Sequence, residues 1–266
     1  MTHVKTFNIL AKLVKNGDVQ SVLSLIKTTN PIIDSYCWLF VGDHSECTCG
    51  KLCSLNDSLC DIAVKSSNLE MLKTLRDLKC KWDIKKIYTI AIEKNDTATV
   101  EYILQFYKSP ELLNTAIICK KIDILKVLVE KIKLTKRMCE LAIENNSSEC
   151  FYYIVENGIL PKCWNACLDA NPDFGAEVLE YVHANNIKCK NNLLRQAVFR
   201  NNVKCTEVLL RMFRPSQDLY KYIATCDGYK ILSLILAIKK IPSDAIELFE
   251  YHNATKCLEC IYHVNR

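Results

Sequence analysis

Residues 10–26 read LAKLVKNGDVQSVLSLI, and the spacing of their apolar residues decides the fold. Leu10 and Leu13 stand one helical turn apart, as do Val22 and Leu25 beyond Gly17-Asp18. Residues three or four apart share a helix face, so the stretch spells two short antiparallel helices. Gly17 tolerates the left-handed backbone that ends the first helix, and Asp18 is suited to cap the second.

Working outward, the same frame recurs. With Leu13 as anchor, Ala63, Ala91, Ala116, Ala142, Ala166, Ala197, Ile223 and Phe249 follow at intervals of 24 to 31 residues, apart from one gap of 50. Three residues before them stand Leu10, Cys60, Tyr88, Leu113, Cys139, Cys163, Leu194, Tyr220 and Ile246. Beyond most anchors comes a second apolar pair, such as Leu72 and Leu75, Val100 and Ile103, Leu125 and Leu128, or Phe151 and Ile154. Between the two helices lie Ser67, Asn95, Lys120, Asn146 and Asn201, equivalent to Gly17, and Asn68, Asp96 and Asn202 follow as caps. One helix pair cannot cover its own apolar faces, so the units must stack on their neighbours. The expected architecture is all-α: a single repeat domain over residues 1–266, a solenoid of about nine helix-turn-helix units joined by short connections. Two irregularities qualify it. Residues 30–57 form an insertion between the first two units, and Asn171-Pro172-Asp173-Phe174-Gly175 is expected to lengthen the turn of the sixth, with Leu179 and Val182 displaced accordingly.

These residues resemble ankyrin repeats, whose unit runs approximately Leu, Ala-Ala, Gly-His or Gly-Asp, then Val-x-x-Leu-Leu. Residues 10–26 are closest to that pattern. Cys60–Asp83, CDIAVKSSNLEMLKTLRDLKCKWD, is similar to the divergent ankyrin units common in large DNA viruses of protists, which often end in Gly-Cys-Pro-Trp-Asp. The endings Lys79-Cys80-Lys81-Trp82-Asp83 and Pro161-Lys162-Cys163-Trp164 resemble that motif. The repeat is shorter than the usual ~33 residues, so projecting hairpins are expected to be short. A generic stack of helical hairpins is the alternative.

Composition narrows the class. Charged residues make up 24 % and the mean hydropathy is +0.02, which suits a folded chain. The longest apolar windows, such as Ile231–Ile238, fall short of the ~20 residues of a membrane span. The opening MTHVKTFNILAKLVKNGD is broken by charge before a signal-peptide core develops, so a cytoplasmic location is expected. Many of the 16 cysteines occupy apolar repeat positions, where a small buried thiol reads better than a disulfide.

Chemistry-bearing patterns are few. His44, Cys47, Cys49 and Cys53 lie within ten residues of the insertion and form a candidate tetrahedral set for structural zinc. Unbound thiols or a redox pair are the alternatives. No Gly-rich phosphate loop or nucleophile elbow is present, so no enzyme is expected and no cofactor is required.

Basic residues follow the repeat. Lys79, Lys81 and Lys85 flank Trp82, Lys133, Lys136 and Arg137 follow the fourth unit, and Lys188 and Lys190 follow the sixth. All are expected in the connections, where the ankyrin resemblance implies a row of fingertips beside a concave face. The function expected is a monomeric protein-protein interaction scaffold, a viral protein that sequesters or inhibits an unidentified host or viral protein. Ligase-adaptor relatives carry an F-box-like segment, which is not evident here. Nucleic-acid binding through the basic connections and the cysteine-rich insertion is one alternative, and a structural or assembly component of a virus particle is another. With a net charge of +5, nucleic acid is the less expected partner.

Overall fold

The computed structural model describes residues 2–25, 59–78, 80, 82–161, 164–190, 192–238 and 241–264. The insertion, with the candidate zinc set His44, Cys47, Cys49 and Cys53, lies outside the described residues, as do Lys79 and Lys81. Among the described residues the regular structure is helical, with no strand.

The chain divides into two compact units, Met1–Leu134 and Thr135–Arg266. The first holds α1 (Thr2–Asn16), α2 (residues 19–25), α3 (Leu59–Lys65), α4 (Leu69–Asp77), α5 (Ile84–Glu93), α6 (Thr97–Ile103), α7 (Pro110–Ile118) and α8 (Ile122–Val129). Hairpins form between α3 and α4, α5 and α6, and α7 and α8; α1, α3, α5 and α7 touch in chain order, and α6 packs on α8. The second unit holds α9 (Lys136–Glu144), α10 (Ser148–Glu156), α11 (Ala166–Asp169), α12 (Pro172–Ala184), α13 (Asn192–Phe199), α14 (Val203–Met212), α15 (Gln217–Thr225), α16 (Tyr229–Ile238), α17 (Ser243–Tyr251) and α18 (Thr255–Val264). Each consecutive pair is again a hairpin; α13, α15 and α17 lie side by side, as do α12, α14, α16 and α18.

Helices this short are marginal alone and depend on tertiary packing. The repeat supplies it. The anchors Ala63, Ala91, Ala116, Ala142, Ala197, Ile223 and Phe249 are buried, as are the paired positions Leu72 and Leu75, Val100 and Ile103, Leu125 and Leu128, and Phe151 and Ile154. Leu13, Leu25, Ile246 and Leu258 are half-buried; they belong to α1, α2, α17 and α18, which lack a further described hairpin on one side.

The turn follows from backbone hydrogen bonding at the anchor. The N–H of the residue five beyond donates to the anchor carbonyl: Asp18 to Leu13, Asn68 to Ala63, Asp96 to Ala91, Lys121 to Ala116, Ser147 to Ala142, Asn202 to Ala197, Gly228 to Ile223 and Ala254 to Phe249, at 2.9 to 3.0 Å. This closure needs a left-handed residue in between. Gly17, Ser67, Asn95, Lys120, Asn146, Asn201, Asp227 and Asn253 supply it, with φ between 45° and 75°. The expected caps Asn68, Asp96 and Asn202 accept from the backbone N–H groups of Met71, Thr99 and Cys205 at 2.9 to 3.1 Å.

The sixth hairpin departs from the rule and corrects the sequence reading of its turn. The extra residues do not lengthen a loop. Asn171 caps α12 by accepting from Asp173, and Pro172 takes the first helical position, where its missing N–H costs nothing. The insertion thus becomes an added helical turn, and Leu179 and Val182 stay buried. Gly175 lets that turn approach α11: a Cβ there would stand 2.0 Å from the Cys167 carbonyl oxygen.

Candidate interaction surface

In the first unit the described basic residues near Trp82 are engaged by their own surroundings. Asp83 caps α5, accepting from the backbone N–H groups of Lys85 and Lys86 at 3.1 and 3.2 Å. Both lysines therefore lie in the first turn of α5 and not in the connection. Lys85 sits 3.8 Å from Glu111, and Lys86 reaches Asp61 at 2.8 Å, a carboxylate only 2 % exposed on α3. Trp82 does not project. The Arg76 guanidinium stands 4.3 Å from its ring centroid, and Tyr102 and Phe106 meet it edge-on at 6.2 and 5.9 Å. Its role is to join the end of α4 to α6.

The group after the fourth repeat separates into three fates. Lys133 is exposed in the connection, as expected. Lys136 and Arg137 instead open α9. Arg137 is held by Glu140 at 3.3 Å and by both carboxylate oxygens of Glu144 at 2.7 and 2.8 Å, which raises its pKa further. That guanidinium is engaged within its own helix.

Lys136 meets a different environment. Together with Lys188 and Lys190, exposed in the connection after α12, it lines a cleft of about 440 Å³ in the second unit. Leu160, Leu193 and Trp164, the last 7 % exposed, supply apolar lining. No aspartate or glutamate lines it among the described residues. Carboxylates of the same unit are paired with other cations: Asp169 with Arg200, Asp173 with Lys204, Glu180 with Arg211, and Glu140 and Glu144 with Arg137. The helices α9 and α13 begin at this cleft with no acidic residue in their first turns, so their N-terminal dipoles add to the positive potential.

A second feature escaped the sequence reading. Phe199 and Tyr251 are 68 % and 82 % exposed on α13 and α17, each two residues past its anchor. Tyr222 on the intervening α15 meets Phe199 edge-on at 6.4 Å, and the Arg195 guanidinium stands 5.5 Å from the Tyr222 centroid. Part of the signal was present: Lys65, Glu93, Glu144 and Thr225 fill that register with exposed polar side chains, although Ile118 is exposed there too and Leu168 is buried. An exposed aromatic side chain is found there in these two helices alone among the described repeats.

Of the described cysteines, Cys60, Cys80, Cys139, Cys150, Cys167, Cys205 and Cys257 are buried, and Cys119, Cys189, Cys226 and Cys260 are half-buried. Burial pushes the Cys80 and Cys139 thiols up to about 12 and the Cys205 thiol to about 11, so all three are protonated near neutral pH. Among the described residues no three His, Cys, Asp or Glu side chains converge as metal ligands, and no helix is long and apolar enough to cross a membrane. Compared with known proteins, the chain matches no protein-family model and no curated protein.

Proposed function

We propose that this chain is a non-enzymatic protein-protein interaction scaffold: an ankyrin-like stack of helical hairpins, of the kind encoded by large DNA viruses, that binds a partner protein and sequesters or inhibits it. The observation that carries the reading is the exposure of the large aromatic side chains of Phe199 and Tyr251, 68 % and 82 %, on α13 and α17. Large exposed aromatic side chains beside an arginine have the composition of a binding hot spot. Units that contact only their neighbours also leave extended helix faces and connections for recognition. The fold by itself assigns no function, so the proposal rests on this surface and on the repeat resemblance.

Affinity capture of the tagged chain from nuclease-treated lysate, beside Phe199→Ala/Tyr251→Ala, tests it. The expected result is a protein partner retained by the wild type and lost from the variant, with the unfolding midpoint unchanged, since neither side chain is in the core. Equal recovery from both forms, or recovery of nucleic acid alone from untreated lysate, overturns it.

A further inference from the structure

We infer that the cleft lined by Lys136, Lys188 and Lys190 is a docking site for an acidic, extended segment of a protein, whose carboxylates meet the three lysines while an apolar side chain enters beside Leu160, Trp164 and Leu193. The inference rests on the reading of the chain as a protein-binding scaffold and names the chemistry of what it binds.

Charge complementarity is the first argument. Three lysines line one opening, and among the described residues no acid lines it and no ion pair forms to any of the three. Like charges held together repel one another, and a bound anion relieves that repulsion. Three arginines of this unit do the opposite: Arg137, Arg200 and Arg211 each meet a carboxylate.

The lining itself is the second argument. Leu160, Trp164 and Leu193 make one side of the opening apolar, a poor lining for a bare inorganic anion and a suitable one for an aliphatic or aromatic side chain. The third is extent. The cleft adjoins a further depression of about 390 Å³, and the two share Ile187, Lys188 and Cys189, so the binding surface continues past the connection. A compact ligand would fill one of them, whereas an extended chain can follow both.

Nucleic acid fits less well. Trp164 is only 7 % exposed, which leaves little ring surface on which a base could stack. Three lysines are also fewer than the several phosphate contacts on which backbone binding depends.

The test is an immobilised array of acidic peptides in which the spacing of Asp and Glu and the identity of one apolar residue are varied, duplicated with Asn and Gln in place of the acids. The full-length chain is applied, followed by K136Q/K188Q/K190Q, K188Q/K190Q, and F199A/Y251A. Retention is expected on acidic members carrying an apolar residue, with at least tenfold less on their amidated counterparts. The triple variant should lose at least tenfold and K188Q/K190Q, altered only in the connection, several-fold. F199A/Y251A should retain the wild-type response to the acidic peptides. Equal retention on acidic and amidated members overturns the inference, as does unchanged retention of both lysine variants. Tighter lysine-dependent binding of a single-stranded oligonucleotide, added as a competitor, overturns it in favour of a nucleic acid ligand. If the array fails while F199A/Y251A still abolishes protein capture, the cleft proposal falls and the scaffold proposal stands. Loss of the capture effect as well removes both.

Discussion

Lys120 occupies the left-handed turn position of its hairpin with φ 57°, a place where glycine or asparagine stands in several of the others. A non-glycine residue pays a steric penalty of about 1–2 kcal/mol there. Replacing Lys120 with Gly should therefore stabilise the chain by roughly 1 kcal/mol, part of the relief being offset by the greater flexibility of glycine when unfolded. Urea unfolding measures this, and a midpoint that falls contradicts the role given to the turn. Gly175 is the reverse case. Its backbone lies so close to Cys167 that a methyl group would stand 2.0 Å from a carbonyl oxygen. Gly175→Ala should cost about 1–3 kcal/mol, the range for overpacking, and an unchanged midpoint would show that α12 shifts without penalty. Of these two sites, Lys120 was legible from its phase in the repeat. Gly175 was not, because only the contact between α11 and α12 makes it special.

At the scale of the element, the repeat spoke most clearly where local chemistry and tertiary packing agree. The caps at Asn68, Asp96 and Asn202 and the buried positions Leu125 and Ile154 follow directly from spacing. Leu125→Asp or Ile154→Asp places a charge where no water reaches and should abolish cooperative unfolding; a sharp, near-wild-type transition would refute the phase. Spacing reveals that residues have been added, but not which element takes them up. Pro172 is compatible with a loop and with a first helical turn, and only the Asn171 cap decides between them. The basic residues show the same difficulty at helix starts. Lys85, Lys136 and Arg137 are expected in connections and belong to first turns, because no Pro or Gly marks those boundaries. Arg137 lies three and seven residues before Glu140 and Glu144, which is helical spacing. Its side chain is 62 % exposed, so Arg137→Ala should reduce stability by less than about 1 kcal/mol. A larger loss in urea unfolding would show that the pair is not an ordinary surface interaction.

Across the whole molecule, helical architecture was legible because burial must recur with the period of the hairpin. The docking surface was less so. The basic residues expected to act together separate: Lys85 and Arg137 are paired with carboxylates, while Lys136, Lys188 and Lys190 line one cleft. That convergence depends on how the start of α9 packs against the connection after α12, which a linear charge pattern does not display. The exposed aromatic pair was legible only in part, because its register holds Lys65, Glu93, Glu144 and Thr225 but also Ile118 and Leu168.

The central claim is that this chain acts by binding a protein through its second unit. The most direct measurement is quantitative capture from nuclease-treated lysate by the wild type, F199A/Y251A and K136Q/K188Q/K190Q in parallel, each first shown to unfold at the wild-type midpoint. The account predicts one nuclease-resistant protein partner, depleted at least tenfold by the aromatic variant and weakened by the lysine variant. Undiminished recovery by both variants, or a partner that nuclease removes, would contradict it.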